Sequence, residues 1–139
     1  MGFIEGRYGD APEEDVAPEG EYDLRIFSVE KRRSEGNPSE GKPARDMLQV
    51  AIAIEAPKDY VPINHFLVFP VEEDWEENGG RVAKMMLRGH RRFCHVFGVE
   101  VTDTGFDAED LEGAMGRCFV TVEEYKGEDV NRLRLPRVK

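Results

Sequence analysis

Cysteine is scarce: Cys94 and Cys118 are the only two in 139 residues. Two thiols so far apart make no disulfide framework, and the expected state is a pair of reduced thiols. No apolar run approaches the ~20 residues needed to cross a bilayer. No charged-then-apolar leader opens the chain either, so a cytoplasmic protein with no membrane partner is expected. A glycine-rich phosphate loop, a G-x-G-x-x-G turn, an H-x-E…C-x-x-C pair and a nucleophile set beside a base are all lacking, so no enzyme activity is expected. His90, Cys94, His95 and Cys118 match no metal-ligand spacing, and no metal or cofactor is expected. No segment repeats.

The chain suits one domain, with room for one core. Its net charge of -10 argues at first against a nucleic-acid partner, because phosphate contacts need cations. The distribution reverses that argument. Residues 79–97 carry Arg81, Lys84, Arg88, Arg91 and Arg92 with no acid, so the remainder of the chain totals -15. Residues 1–21 hold seven acids against Arg7, and residues 72–77 hold five acids and no base. From Val130 onward there are Arg132, Arg134, Arg137 and Lys139 and no acid. Such segregation predicts faces of opposite sign, and a partner responds to the local field.

The strongest helical signal is RVAKMMLRGHRRFCHVFG, residues 81–98. Val82, Met85, Met86, Gly89, Phe93, Val96 and Phe97 recur at helical spacing and predict the buried face. Arg81, Lys84, Arg88, Arg91, Arg92 and His95 form the opposite stripe. Gly98 is placed to close the helix in a left-handed conformation, and Asn78-Gly79-Gly80 to start or break it. Mixed charge is the usual composition of a solvated helix face. A wholly basic stripe is expected either to extend an anion path or to pair with the acidic arm or the 72–77 run of its own or a neighbouring subunit.

The remainder reads as strand and turn. Residues 1–20 are acidic, rich in Gly and Pro, and predict an arm ahead of a domain over 21–139. In Tyr22–Val29 the apolar parity switches at Phe27, which predicts a bulge or strong coil, as where one long strand serves two parts of a barrel. A loop over 31–45 carries Lys31, Arg32, Arg33, Lys42 and Arg45, and a loop of that length in a small domain is either functional or disordered. Met47–Glu55 puts Leu48, Val50, Ile52 and Ile54 inward opposite a face of small residues. Val61–Phe69 is a third strand bounded by prolines. The acidic run EEDWEE bridges to the helix. Asp107 predicts a capped turn, and Cys118–Tyr125 and Val130–Leu135 pair through a turn at Lys126–Asp129.

Three strands, one helix, then a hairpin is the order of a five-stranded OB-fold barrel, mostly β with one main helix. The rival is a split α+β sheet with the helix packed on one face. The stretches GEYDLRI (20–26), the helix closing on Phe97-Gly98, LEG (111–113), CFVTV (118–122) and Gly127…Asn131-Arg-Leu133 resemble small phage-encoded OB-fold proteins. Those are found beside replication and recombination genes, and several bind single-stranded DNA. The likeness spans residues 20–136. It implies a single-stranded DNA-binding protein of little sequence preference, acting in phage DNA replication or recombination in the cytoplasm of a bacterial host. One departure stands out: many single-stranded DNA-binding proteins end in an acidic tail, whereas this chain ends LRLPRVK and carries its acids at the N-terminus.

A barrel of this kind binds a strand along its second and third strands, framed by the first and last loops. The expected nucleic-acid-binding residues are therefore the cations Lys31, Arg32, Arg33, Lys42, Arg45, Arg132 and Arg134. The rings Phe27, Tyr60, Phe66 and Tyr125 are the candidates for stacking bases. An alternative of another class is a protein-interaction or dimerisation module with the same barrel, docking on replication proteins. A second copy of the chain is the further candidate partner.

Overall fold

Alternation of apolar and polar side chains makes the strands. The computed structural model describes residues 2–138, and Lys139, the last cation of the basic tail, lies outside them. Its strands are β1 (Gly20–Arg33), β2 (Asp46–Glu55), β3 (Ile63–Val68), β4 (Met115–Tyr125) and β5 (Glu128–Arg134). On β2 the predicted inward row Leu48, Val50, Ile52 and Ile54 is buried and alternates with half-buried Gln49, Ala51 and Ala53. Ile63 and Leu67 of β3, and Cys118 and Val120 of β4, complete the same core with Leu24 and Ile26 of β1. The β4–β5 turn is tight, with Lys126 at φ 52° and Gly127 at φ 81°, the pair of positive φ angles that suits a two-residue hairpin.

The strands form one antiparallel sheet in the order β3-β2-β1-β4-β5. β1 is shared: it pairs with β2 along most of its length and with β4 over Gly20–Arg25 only. The parity switch at Phe27 is a bulge, since Ile26 faces Ile52 while Ser28 faces Ala51. The extra residue bends the strand and carries the two edges round until Cα atoms of β3 and β5 lie within 8 Å of each other. The closed cylinder expected from the sequence needs correcting here. No backbone ladder joins β3 to β5 among the described residues, so the sheet is curled but not closed.

The chain ahead of β1 links the two edges instead. Val61 N–H donates to Asp15 O at 3.0 Å on the β3 side. On the β5 side Asn131 clamps Ala17: Ala17 N–H donates to Oδ1 at 2.8 Å, and Nδ2 donates to Ala17 O at 2.9 Å and to Thr121 O at 3.2 Å. Of the acidic arm expected over residues 1–20, residues 2–15 are exposed, while Ala17 is fully buried.

Two helices follow β3. The acidic run expected to bridge is a short helix, α1 (Glu72–Glu76). Its three first-turn acids suit a helix N-terminus, and Asp74 reaches back to accept from Val71 N–H at 2.8 Å. Asn78, Gly79 and Gly80, at φ 49°, 67° and 77°, then turn the chain before α2 (Arg81–Val96). Gly98, at φ 68°, closes α2 as its position predicts, and Val99 N–H donates back to Cys94 O at 2.9 Å. The buried face is rotated from the predicted one. It runs through Ala83, His90, Phe93, Cys94 and Phe97, while Met85 is 62% exposed. The rotation follows from what the sheet offers α2. Phe93 stacks on His65 of β3 with ring centroids 4.5 Å apart, and His90 Nε2 donates to Val68 O at 2.8 Å. The last turn of α2 lies directly on β4, where a Cβ on Gly116 would run into the Val96 carbonyl oxygen. No helix among the described residues is long and apolar enough to cross a membrane.

Gly116→Ala is expected to cost about 1–3 kcal/mol, the usual range for overpacking, read as a lower urea midpoint with an unchanged m-value. Burial, with the nearby His90 and Arg132, pushes His65 down to about 4 from its ordinary 6.5. The unfolded chain therefore takes up this proton at higher pH than the folded one. The associated stability is complete above pH 6.5 and falls as pH drops toward 4, by about 1.4 kcal/mol per unit. Denaturation at stepped pH should show this loss, and His65→Leu should lessen the slope.

Candidate functional site

Strand parity sorts the sequence-predicted residues before any contact is considered. Residues opposite the core row of β2 and β3 point outward, so Gln49, Ala51, Asn64 and Phe66 share one face, with Gln49 paired to Phe66 and Ala51 to Asn64. Arg32 of β1 joins them. Its Nε donates to Gln49 Oε1 at 3.0 Å, and Gln49 Nε2 donates to Asn64 Oδ1 at 3.3 Å. Phe27 stands at the bulge between residues paired with Ile52 and Ala51. Phe27 is 44% exposed and Phe66 45%, high for large rings in a domain with a complete core. This outer face of β1-β2-β3 thus carries two open rings, a row of amides, a floor of small alanines and the Arg32 guanidinium, whose Nη2 also donates to Glu30 Oε2 at 2.8 Å.

A second aromatic and cationic group lies on β4 and β5. Arg134 covers the Phe119 ring at 4.4 Å from its centroid, while Lys126 and Arg132 lie 5.2 and 5.7 Å from that of Tyr125. Arg132 also faces Glu123 at 3.9 Å. Tyr60 separates from the other predicted rings: it is half-buried and packs edge-on to Tyr22 at 6.2 Å.

The loop expected over 31–45 is shorter: Lys31, Arg32 and Arg33 continue β1, paired with β2, and only Lys42 and Arg45 are loop cations. Asn37 and Lys42 exchange backbone hydrogen bonds, and at the base of the loop Ser34 N–H donates to Arg45 O at 2.9 Å while Arg45 N–H donates to Ser34 Oγ at 3.0 Å. Lys42 pairs with Glu40 at 3.3 Å and Arg33 with Asp46 at 2.6 Å. Arg45 grips Asp74 of α1 through Nη2 at 2.7 Å and Nε at 3.2 Å, and the Asp74 side chain is only 8% exposed. The Arg45 hydrogen bonds, against the upward push of burial and with help from Val71 N–H, hold the Asp74 carboxyl below its ordinary 3.8. Arg45 is therefore a structural tie between the loop and α1.

Lys31 and Arg32 point to a place that sequence pattern does not connect with them. They line one wall of a groove of about 1070 Å³ whose other wall is α2, with Lys84, Arg88, Arg91 and Arg92. Residues 101–106 also line it. Among the described residues no carboxylate pairs with Lys31, Arg81, Lys84, Arg88, Arg91 or Arg92. The pairing of the basic stripe with the acidic arm or the 72–77 run is thus absent within this chain among those residues. Gln49, Asn64 and Phe119 join the two groups on the sheet although motif and charge did not single them out. Their outward parity on β2, β3 and β4 was the available signal. No protein-family model matches the chain, and no curated protein matches it.

The burial contrast between two ion pairs predicts their weights. Arg45→Ala would strand the Asp74 carboxylate and should cost roughly 2–4 kcal/mol. Arg33→Ala breaks a pair exposed on both sides and should cost under about 0.5 kcal/mol. Urea unfolding at neutral pH compares them. The Asp74 contribution is present above the ordinary carboxylate range and lost as pH falls through its depressed folded value, so the two variants should converge in acid.

Proposed function

We propose that the chain is a non-catalytic OB-type module that binds single-stranded nucleic acid with little sequence preference, serving phage DNA replication or recombination. The observation that carries this reading is the pair of exposed rings, Phe27 and Phe66, beside the Arg32–Gln49–Asn64 row on the outer face of β1-β2-β3. Bases stack on rings irrespective of sequence, and a cation next to them holds the phosphates. The strand order supports the OB assignment. With β5 lying alongside β3, the neighbours run 1-2-3-5-4 and back to 1, and α2 falls between β3 and β4. Arg132, Arg134 and Tyr125 flank the same seam from the β5 side and extend the surface. Arg45 drops out as a principal contact because it is held by the nearly buried Asp74, whereas the pairs of Arg32, Arg33, Lys42 and Arg132 with Glu30, Asp46, Glu40 and Glu123 are exposed and can exchange for phosphate.

The second reading, a docking module for replication proteins or a second copy, draws on Met85 and Leu87, which are 62% and 39% exposed on α2. A labelled oligo-dT titration separates the two. Phe27→Ala with Phe66→Ala should weaken binding by at least about tenfold, since each stacked base contributes roughly 1–3 kcal/mol. The melting temperature should hardly change, because both rings are exposed. Wild-type affinity should also fall as salt rises. No oligonucleotide binding at low salt, together with a mass that grows with concentration, would replace this reading with the second.

A further inference from the structure

The cations of α2 stand off the path that a strand would take along the sheet, yet Arg32 belongs to both places. Its Nε donates to Gln49 and its Nη2 to Glu30 on the ring-bearing face, and the residue also lines the groove under α2. Across that groove stand Lys84, Arg88, Arg91 and Arg92, and Lys31 stands beside Arg32. Most of the described cations off α2 face carboxylates within 4.0 Å: Arg7, Arg25, Arg32, Arg33, Lys42, Arg45, Lys58, Arg117 and Arg132. The helix cations do not. A chain of net charge -10 that leaves five helix cations without an acid has concentrated its positive field on one wall. Two acids also line the groove, Asp46 and Asp103, and Asp46 is already neutralised by Arg33 at 2.6 Å.

At about 1070 Å³ the groove stands at the top of the ~300–1,000 Å³ range of small-molecule sites, so the layout of its charges decides the ligand. Arg88 and Arg91 lie three residues apart and Lys84 one turn before Arg88, so the charges are spread along the helix axis. That spread suits a ligand with charges in series.

We propose that this groove carries the sugar–phosphate backbone of the bound strand off the β1-β2-β3 face and along α2, with Arg32 at the crossing point. The proposal rests on the single-strand reading above and extends it: bases are held on the sheet face, while the groove holds phosphates alone. Short strands fill the face, and only longer ones reach the helix.

Arg88→Gln with Arg91→Gln tests this against dT oligomers of about 5 and about 16 nucleotides, which bracket the site sizes of single OB barrels. Both positions are exposed and free of acid partners, and an unchanged melting temperature would show that the fold is intact. The variant should lower affinity for the long oligomer at least about tenfold more than for the short one. Its salt dependence with the long oligomer should flatten by about 0.7 in the log–log slope for each phosphate that is no longer neutralised. Equal effects on both lengths, or no change in slope, would overturn the path along α2 while leaving the sheet-face reading standing. Wild-type protein that ignores both oligomers but binds a poly-glutamate peptide, with Arg88→Gln and Arg91→Gln abolishing it, would overturn both readings and assign the groove to an acidic protein partner.

Discussion

Phe27 has no partner on β2: Ile26 faces Ile52 and Ser28 faces Ala51, so β1 carries one residue more than the strand beside it. That excess bends β1 and increases its twist. Before the bend, β1 pairs on both sides, with β2 and β4; after it, β1 pairs with β2 alone. The curl that brings β5 round toward β3 follows from this, and so does the placing of Lys31 and Arg32 beside the groove that α2 also lines. The bulge also leaves the Phe27 ring in solvent. Shape and surface chemistry therefore share one local irregularity.

The curled sheet is held at its seam without a ladder. Asn131 makes three hydrogen bonds from one side chain, two of them to the Ala17 backbone. A buried amide satisfied in this way fixes a neighbouring segment strongly, because leaving any of those groups unpaired would cost its desolvation. Gly116 performs a complementary service on the other side, where only a residue without Cβ lets the end of α2 rest on β4. Between them the core closes around Phe93, which stacks on His65 and tilts against Phe97 at 4.9 Å.

Much of this is legible in the residues. The alternation of β2, the switch at Phe27, the Gly98 helix end and the Asp107 cap, whose side chain accepts from Glu109 N–H at 3.0 Å, all stand where the pattern puts them. These are properties of short stretches. Pattern fails where an element answers to a distant partner. α2 turns its His90 inward because Val68 offers a carbonyl, and α1 forms in a run that looks like a bridge because Asp74 both caps it and meets Arg45. Arg45, 29 residues away in sequence, looks like one more loop cation.

Charge shows the same division. Composition and spacing by themselves determined that the chain has a basic helix face, an acidic leading segment, β-strands of half-buried type and one strand with a fault in it. Those follow from periodicity, which is local. Tertiary structure alone decided which cations are spent on acids and which remain free. It also set Lys31 and Arg32 against α2 across a groove, and left the β3 and β5 edges near each other but unpaired. The physical reason is that ion pairing and sheet closure depend on distance between residues far apart in the chain, and no pattern along one strand or helix encodes that distance.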